Sequence, residues 1–263
     1  MSAALLGIVQ GFTEFLPVSS TAHLLLGARI LGYQDPGGVF TVMIQLGAVL
    51  AVVWLYRVKV WEVLAGLASQ KAAQRFAMAV VLGCLPAFVA GALFSDYVKQ
   101  VLYYSTPVMA WAFVLGGLVM LATERWRPTP TVADMADLPL GRAFAVGACQ
   151  TLALVPGVSR SGATIVGGLL LGLDRAVAAE FSFFLAIPTI SGAFLHDLLD
   201  VRDQLTFDRT AEIAVGFVAA FLSALVVVRP FLQVVTRVGF AWFAWYRIAL
   251  GMLLFASMAA GWR

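Results

Sequence analysis

Charged residues are scarce in this chain. Only 12% of its 263 residues are charged and 62% are hydrophobic, whereas a soluble domain has about 25% charged residues. This scarcity excludes a soluble enzyme and predicts an all-α polytopic membrane protein. The net charge of +3 is small, so we expect the lipid bilayer and no nucleic acid as a partner.

Cysteine is scarce too. Cys84 and Cys149 both lie in apolar stretches, and we interpret them as core residues rather than a disulfide or a metal site. A cleavable signal peptide is not evident, because the first apolar run, 3–16, lacks a basic flank and contains Glu14. That run is also too short to cross a bilayer, which needs about 20 residues. It fits a re-entrant or interfacial helix better.

Six apolar runs are long enough to span a membrane. They lie near 38–56, 76–94, 107–124, 176–197, 212–228 and 240–260. Two pairs of shorter apolar segments lie at 3–16 with 20–31 and at 142–155 with 160–172. The first pair turns at Pro17 and the second at Pro156, and a continuous helix tolerates proline poorly. Each pair is therefore predicted to form a re-entrant helical hairpin.

The two halves of the chain resemble each other. Gly7 and Gln10 match Gly147 and Gln150 at the same spacing, and a proline turn with two serines follows in each half. The predicted divisions are a first repeat at 1–125, a linker at 126–141 and a second repeat at 142–263. Each repeat holds one hairpin and three spans. Because three is an odd number, the second repeat is predicted to be inverted relative to the first.

Basic loops predict the orientation. Three loops that fall on one side by alternation carry the basic residues Arg57, Lys59, Lys71, Arg75, Arg125, Arg127, Arg142, Arg229 and Arg237. We assign this side to the cytoplasm, and the opposite side includes an acid-rich segment at 200–209. Both termini are then predicted outside. One hairpin enters from each face, so we expect the two tips to meet inside the protein.

Ionisable residues interrupt the apolar sequence. Such a group at membrane depth costs at least ~2.5 kcal/mol on insertion scales, so Glu14, His23 and Arg160 are functional-site hypotheses. Gln10 and Glu14 are four residues apart and share one helix face. Ser20 and His23 are three apart and share a face of the next helix. This spacing predicts a hydroxyl within reach of an imidazole, as a nucleophile and its base require.

Serines follow each proline turn and can cap the helix that comes next. They are Ser19 and Ser20 in the first half and Ser159 and Ser161 in the second. Two helix N-termini would then point at one buried spot, which is an anion site. Arg160 adds a guanidinium suited to phosphate, and Thr164 follows one turn later.

Each of these residues also has a structural interpretation. Gln10 can bond another helix, His23 can be a packed histidine, and the serines can be caps. Arg160 can be the structural partner of Glu14. Arg247, inside the last span, either snorkels towards an interface or lines the cavity. The sequence leaves these alternatives open.

The halves are chemically unequal, which separates the function hypotheses. The first half supplies Glu14 and His23, whereas the second has Leu154 near the place of Glu14. An enzyme with one proton-handling half and one phosphate-binding half needs this division, and a symmetric transporter does not. Inverted repeats with broken helices are nevertheless typical of secondary transporters, so transport is the second hypothesis. A structural scaffold leaves the ionisable residues unexplained.

At these residues the chain resembles the undecaprenyl-pyrophosphate phosphatase family, bacterial membrane enzymes associated with bacitracin resistance. The first family motif is an acid or amide, then Glu four residues later, a Pro-x-Ser-Ser turn and His, and it matches 10–23. The second, Pro-Gly-x-Ser-Arg-Ser-x-x-Thr, matches 156–164. Further family-like stretches are IQLGAVLAV from Ile44, EFSFFLAIP from Glu180, and FAWYR ending at Arg247. The resemblance covers essentially the whole chain.

The resemblance implies an activity and a place. It implies hydrolysis of a polyprenyl diphosphate, chiefly undecaprenyl diphosphate, to the monophosphate and phosphate, which recycles the lipid carrier of peptidoglycan synthesis. It also implies a divalent cation, Mg²⁺ or Ca²⁺, and an active site on the outer side of the bacterial plasma membrane. Flipping of the polyprenyl phosphate across the membrane is the alternative function for the same fold. A homodimer is compatible with the sequence.

The residues and the resemblance together give a predicted site. The predicted catalytic residues are Glu14, Ser20, His23 and Arg160, the predicted diphosphate ligands are Ser19, Ser159, Ser161, Thr164 and Arg247, and the predicted metal ligands are Glu14 and Gln10. Either Ser20 attacks phosphorus with help from His23, or His23 or Glu14 activates water directly.

One position departs from the family. Many members resemble a Glu-x-x-x-Glu pair, whereas this chain has Gln10 at the first position. An amide ligates a metal through its carbonyl but does not share the negative charge, so Glu14 is the key carboxylate. The chain also starts closer to its first hairpin than the resemblance leads us to expect, and we expect a trimmed or mis-assigned N-terminus.

Overall fold

The computed structural model describes residues 1–35, 38–103, 105–201 and 207–261. In chain order the helices are α1 (Ser2–Thr13), α2 (Ser20–Leu31), α3 (Val39–Leu55), α4 (Arg57–Gly66), α5 (Lys71–Tyr97), α6 (Thr106–Trp126), α7 (Leu140–Gln150), α8 (Arg160–Leu170), α9 (Arg175–Val201), α10 (Phe207–Val238) and α11 (Ala241–Ala259). Short 3-10 and π turns supplement them, and Val132 forms an isolated bridge with Leu173. The all-α prediction is confirmed over these ranges.

Each predicted hairpin is a pair of short helices around a proline turn. The first consists of α1 and α2, and the second of α7, a 3-10 turn at Thr151–Leu154, and α8. A helix of 12 residues is about 18 Å long, which is less than the ~30 Å of a bilayer's hydrocarbon core. The helices of the hairpins are therefore too short to cross a bilayer singly.

Five of the described helices are long and apolar enough to cross a membrane, namely α5, α6, α9, α10 and α11. The run predicted at 38–56 forms α3, which has 17 residues and bends by 77° into α4. Counted as one span, this bent pair brings the number to six, and the six predicted runs then correspond to five long helices and one broken one. The sequence did not predict α4, because its Arg57 and Lys59 were assigned to a loop.

The helices α5, α6, α9 and α10 are longer than their predicted runs. The run predicted at 176–197 extends to 201 in α9, and α10 covers 207–238 instead of 212–228. Proline lies inside α5, α9 and α10 without ending them. Part of the predicted acid-rich segment, 202–206, lies outside the described residues.

Glycines bring each hairpin against a helix of the other half. In α1, Gly7 packs on the backbone of Gly216 in α10, and in α7, Gly147 packs on the backbone of Gly83 in α5. A Cβ atom at Gly7 or Gly147 would overlap the facing carbonyl oxygen. The helices therefore approach as closely as small-residue interfaces in membranes allow, and each hairpin is held by the opposite half.

A buried aromatic cluster lies beneath the first hairpin turn. Phe15 meets the edge of Phe183 with ring centroids 5.4 Å apart, and Phe231 lies 6.1 Å from Phe183. Such offset and edge-on pairs are favourable beyond the area that they bury. Cys84 and Cys149 are free thiols, as the sequence predicted.

Candidate active site at the hairpin tips

The turns of the two hairpins are in direct contact. The carbonyl oxygen of Leu16 accepts hydrogen bonds from Ser161 Oγ at 2.8 Å and from Ser159 Oγ at 3.4 Å. The hydroxyls of Ser159 and Ser161 also bond each other at 2.9 Å. The tips meet as predicted, and both serines join the two halves of the chain.

Arg247 fastens the same two tips. Its guanidinium donates to the carbonyl oxygen of Pro17 at 3.1 Å, of Gly157 at 3.0 Å and of Ala112 at 2.9 Å. Arg247 is 2% exposed and is not among the described residues that line the cavity. It therefore does not snorkel and does not line the cavity, whereas its predicted role as a diphosphate ligand stays a prediction. Three backbone carbonyl oxygens on three separate segments thus accept hydrogen bonds from its buried guanidinium.

Glu14 is the centre of a buried polar cluster. Its Oε2 accepts a hydrogen bond from Ser20 Oγ at 2.6 Å and from Gln10 Nε2 at 2.8 Å. Its Oε1 accepts from Arg160 Nη2 at 2.9 Å, and only 6% of the Glu14 side chain is exposed. The structure thus brings together three of the four predicted catalytic residues. It also confirms that Gln10 and Glu14 share a helix face.

A hydrogen bond and a ring contact fix the orientation of the Arg160 guanidinium. Its Nη1 donates to the carbonyl oxygen of Ser182 at 2.8 Å, and its guanidinium lies 5.9 Å from the centroid of the Phe15 ring. Thr164 Oγ1 donates to Ser182 Oγ at 2.8 Å, so Thr164 supports the partner of Arg160. The buried Nε of Arg160 has no hydrogen-bond partner among the described residues. One donor of the guanidinium is therefore not engaged by any described residue.

The two helix N-termini are built differently. Ser159 Oγ accepts a hydrogen bond from the Gly162 N–H at 3.1 Å, which confirms a serine cap on α8. Ser19 precedes α2 with φ 69°, and its side chain makes no cap bond. Ser20 is bonded to Glu14 instead, so the predicted serine side-chain cap of α2 was wrong. The first-turn N–H groups of α2 consequently lack a side-chain acceptor, which suits an anion.

His23 is not the partner of Ser20. Its Nδ1 lies 2.8 Å from the carbonyl oxygen of Ser19, and its Nε2 lies 2.6 Å from the hydroxyl of Tyr246. The rings of His23 and Tyr246 stack with centroids 5.7 Å apart. Both ring nitrogens are therefore engaged away from the Ser20 hydroxyl. The expected Ser20–His23 pair is replaced by the Ser20–Glu14 bond.

A cavity of about 630 Å³ opens beside the Glu14 cluster. Its polar end is lined by Glu14, Ser19, Ser20, Ser159 and Arg160. Its opposite walls are helices α5 and α9, which contribute small residues that include Ala87, Gly91, Ala92, Gly192 and Ala193. A diphosphate fits such a volume, since pockets for drug-sized ligands measure about 300–1,000 Å³.

Glu14 and the adjacent Gln10 offer oxygen donors for one divalent cation. Among the described residues, no three His, Cys, Asp or Glu side chains come together. Gln10 Oε1, next to the Glu14 carboxylate, is buried without a hydrogen-bond partner. Mg²⁺ is commonly held by one or two carboxylates together with substrate phosphates and waters. Glu14 and Gln10 suit a cation that takes its remaining ligands in this way.

Several residues of the site escaped the sequence analysis. Ser182 and Tyr246 were overlooked because their roles depend on partners far away in the chain. Ser182 lies inside the EFSFFLAIP stretch and Tyr246 inside FAWYR, and those two stretches were the available signal. Glu180, in the former, accepts from the Tyr56 hydroxyl at 3.4 Å at the α3–α4 bend.

Comparison with known proteins shows which family the chain resembles over nearly its whole length. Residues 3–253 match the model of the family described as bacitracin resistance protein BacA. The chain is 51% identical to undecaprenyl-diphosphatase 1 of Agrobacterium fabrum over 253 residues, covering 96% of this chain and 94% of the relative. It is 50% identical to an undecaprenyl-diphosphatase of Cereibacter sphaeroides over 259 residues, covering 98% and 97%. An undecaprenyl-diphosphatase of Caulobacter vibrioides is 46% identical over 251 residues, covering 95% and 94%.

Proposed function

This chain belongs to the BacA family of bacitracin resistance proteins, and from that membership we propose that it is a multi-pass membrane phosphatase. It hydrolyses undecaprenyl diphosphate to undecaprenyl phosphate and inorganic phosphate. The observation that carries the proposal is the cluster of Ser20, Glu14 and Arg160 at the polar end of one cavity. A nucleophile, a base and a fixed cation stand together there.

The cluster supports a mechanism in which Ser20 is the nucleophile. The Ser20 hydroxyl already donates to Glu14 Oε2 at 2.6 Å, so Glu14 is placed to take its proton as Ser20 Oγ bonds to the terminal phosphorus. The bond from that phosphorus to the bridging oxygen then breaks, and undecaprenyl phosphate leaves. Water releases phosphate from Ser20 in a second step. In the alternative, Glu14 activates water for direct attack.

The cationic groups carry most of the expected catalysis. Phosphoryl transfer depends mainly on positioning and on stabilising charge that spreads over the phosphate oxygens. Arg160 supplies a guanidinium whose Nε–H has no partner in the described part of the chain, and the α2 N-terminus supplies backbone donors. A divalent cation held by Glu14 and Gln10 would neutralise further charge on the diphosphate. His23 positions the Ser19 carbonyl through its 2.8 Å hydrogen bond.

The polyprenyl tail is proposed to leave the cavity between α5 and α9. The cavity of about 630 Å³ is too small for a tail of about 55 carbons as well as the head group. The walls at Ala92 and Ala193 are small, and Phe88 packs against Gly192 between them. A tail that passes this gap reaches the bilayer. The basic loops support a site on the outer side of the plasma membrane and both termini outside.

The inverted repeat is part of the proposal. The contact of Gly7 in the first half with Gly216 in the second has a counterpart in the contact of Gly147 in the second half with Gly83 in the first. These matched contacts support a fold in which the two hairpins enter from opposite faces and each packs against a helix of the other half. Accessibility of single cysteines to an impermeant reagent, placed in the turn after α4 and in the turn before α6, tests the orientation.

The first test is phosphate release from undecaprenyl diphosphate by the purified protein in detergent, with Mg²⁺, with Ca²⁺ and with EDTA. We expect release that requires the metal and that is lost in Arg160→Ala. Absence of release under every condition, from protein shown to be folded, would contradict the proposal. Cross-linking in the native membrane separately tests a homodimer.

Flipping of polyprenyl phosphate is the alternative function. The halves differ in chemistry, since Gln10 is bonded to Glu14 whereas Gln150 has Leu154 in the matching place. This inequality favours an enzyme. A hydrolysis-dead Arg160→Ala variant in vesicles separates the two functions, because movement of labelled polyprenyl phosphate across the bilayer by that variant would establish flipping.

A further inference from the structure

Gln150 is a buried amide without a partner. It is the last residue of α7 and is 3% exposed, and neither its Oε1 nor its Nε2 bonds to any described residue. Nearly all buried polar groups in folded proteins are paired with protein, ordered water or a ligand, because an unpaired one destabilises the fold. The partner of Gln150 therefore comes from outside the described chain.

The sequence explains why Gln150 is unpaired. Gln10 and Gln150 occupy matching places near the ends of α1 and α7, each three residues after a glycine that packs on the other half. Gln10 Nε2 donates to Glu14, four residues later. Four residues after Gln150 stands Leu154, which offers no side-chain acceptor. The second half thus keeps the amide of the repeat and lacks the carboxylate that engages it.

The position of Gln150 indicates what its partner is. Gln150 lines the same cavity as Glu14, Ser20 and Arg160. A ligand drawn to this cavity by Arg160 therefore comes next to the unpaired amide. An ionised phosphate offers only hydrogen-bond acceptors, and an amide Nε2 donates without adding charge.

We propose that Gln150 binds the head group of the diphosphate substrate, with Nε2 donating to a phosphate oxygen and Oε1 accepting from a water bound beside it. The proposal rests on the proposed function and extends the site to the first helix of the second hairpin. Arg160 neutralises the phosphate charge, whereas Gln150 fixes its orientation. Glutamine has a comparable part in phosphoryl-transfer enzymes that orient water next to phosphorus.

The test compares Gln150→Met with Gln150→Glu. Methionine has a similar length and removes both polar atoms, so kcat/KM for undecaprenyl diphosphate should fall by about 10- to 100-fold, which is the value of a hydrogen bond to a charged group. Glutamate places a negative charge beside the phosphates and should raise KM further. Gln233→Met is the matched control, because Gln233 is exposed on α10, and it should leave kcat/KM unchanged.

Thermal stability gives a readout that does not depend on turnover. Because Gln150 has no partner among the described residues, Gln150→Met should leave the Tm of the ligand-free protein unchanged or raise it. Inorganic pyrophosphate with Mg²⁺ should raise the Tm of the wild-type protein and raise that of Gln150→Met less. A shorter amide in Gln150→Asn should give an intermediate shift.

Two outcomes would overturn the inference. One is a Gln150→Met variant with the kcat/KM and the pyrophosphate shift of the wild-type protein. The other is a lower ligand-free Tm with an unchanged pyrophosphate shift, which would show that Gln150 pairs with a structural water. If the wild-type protein releases no phosphate, the proposed function fails, and the pyrophosphate comparison still decides whether Gln150 contacts a phosphate ligand.

Discussion

Arg160 Nη2 lies 2.9 Å from Glu14 Oε1, and this ion pair joins two hairpins whose residues are 146 positions apart in the chain. Neither half holds the charged groups of the site alone. Each charge lowers the cost of burying the other at membrane depth. Substrate that draws Arg160 away leaves Glu14 free to accept a proton or a cation.

The ion pair predicts different responses in activity and in stability. Arg160→Ala and Glu14→Ala should each reduce phosphate release by at least about 100-fold without unfolding the protein. Either change leaves one buried charge unpaired, at a cost of up to about 3–5 kcal/mol. The double variant Glu14→Gln/Arg160→Ala should therefore recover Tm and remain inactive. Near-normal turnover in either folded single variant would remove the pair from the mechanism.

Loss of the Ser20 hydroxyl should reduce turnover more than loss of the His23 ring. Ser20→Ala should abolish turnover, and rapid quenching of the wild-type reaction should trap a phosphoserine at Ser20 if the covalent route operates. Tyr246→Phe removes one neutral hydrogen bond to His23 and should lower kcat by about tenfold or less. His23→Ala should keep more activity than Ser20→Ala, because the Ser20 hydroxyl donates its hydrogen bond to Glu14 and not to His23. Equal losses in the two folded alanine variants would restore His23 as the base.

Substitution of Gln10 should change the metal concentration that the activity requires. Gln10→Glu adds a second carboxylate beside Glu14, so the Mg²⁺ or Ca²⁺ concentration for half-maximal activity should fall by about tenfold. Gln10→Met removes the carbonyl oxygen and should raise the metal concentration for half-maximal activity. Titration of metal into EDTA-treated protein measures both changes. Identical midpoints in the two variants would exclude residue 10 from the metal site.

Arg247 should be a stability residue. Arg247→Lys leaves three carbonyl oxygens for one ammonium group, which is too compact to reach all of them, and should lower the free energy of unfolding by about 2–4 kcal/mol. The control is Arg57→Lys, since the exposed Arg57 bonds one carbonyl oxygen. A thermal melt in detergent compares the two. A stable Arg247→Lys variant with reduced substrate affinity would instead support the predicted diphosphate role.

The proposed exit of the tail between α5 and α9 predicts that hydrolysis depends on the length of the prenyl chain. Ala92→Trp should slow hydrolysis of undecaprenyl diphosphate by about tenfold, because an indole there fills the proposed path of the tail. A short, soluble prenyl diphosphate should be hydrolysed at an unchanged rate. Leu85→Trp, at an exposed position of the same helix, is the control. Equal slowing of the long and the short substrate would place the tail elsewhere.

The sequence predicted the centre of the site because ionisable residues are so rare in this chain. Glu14 and Arg160 stand out in apolar sequence, and helical spacing alone placed Gln10 beside Glu14. The same spacing also placed Ser20 beside His23, and here it failed. The left-handed conformation of Ser19, φ 69°, is not read from residue spacing, and Ser20 instead reaches back to the preceding helix.

Residues whose partners are distant were beyond sequence reasoning. Arg247 was recognised as unusual, but its three carbonyl partners lie on segments that only the packing brings together. Gln150 was noted as a match for Gln10. The sequence does not show that its side chain is buried, or that no described residue bonds to its amide. The bend at Tyr56 was hidden because the hydrophobic run ends in a basic segment that resembles a loop.

The exchange of hairpins between halves sets an order for biogenesis. Gly7 contacts Gly216, so α1 emerges from the ribosome about 200 residues before the helix that receives it. At a synthesis rate of about 5–20 residues per second, the first hairpin waits on the order of 10–40 s without its partner. Arg247, on the last helix, then closes both turns. We therefore expect the two hairpin turns to reach their final contacts only after the last helix is inserted.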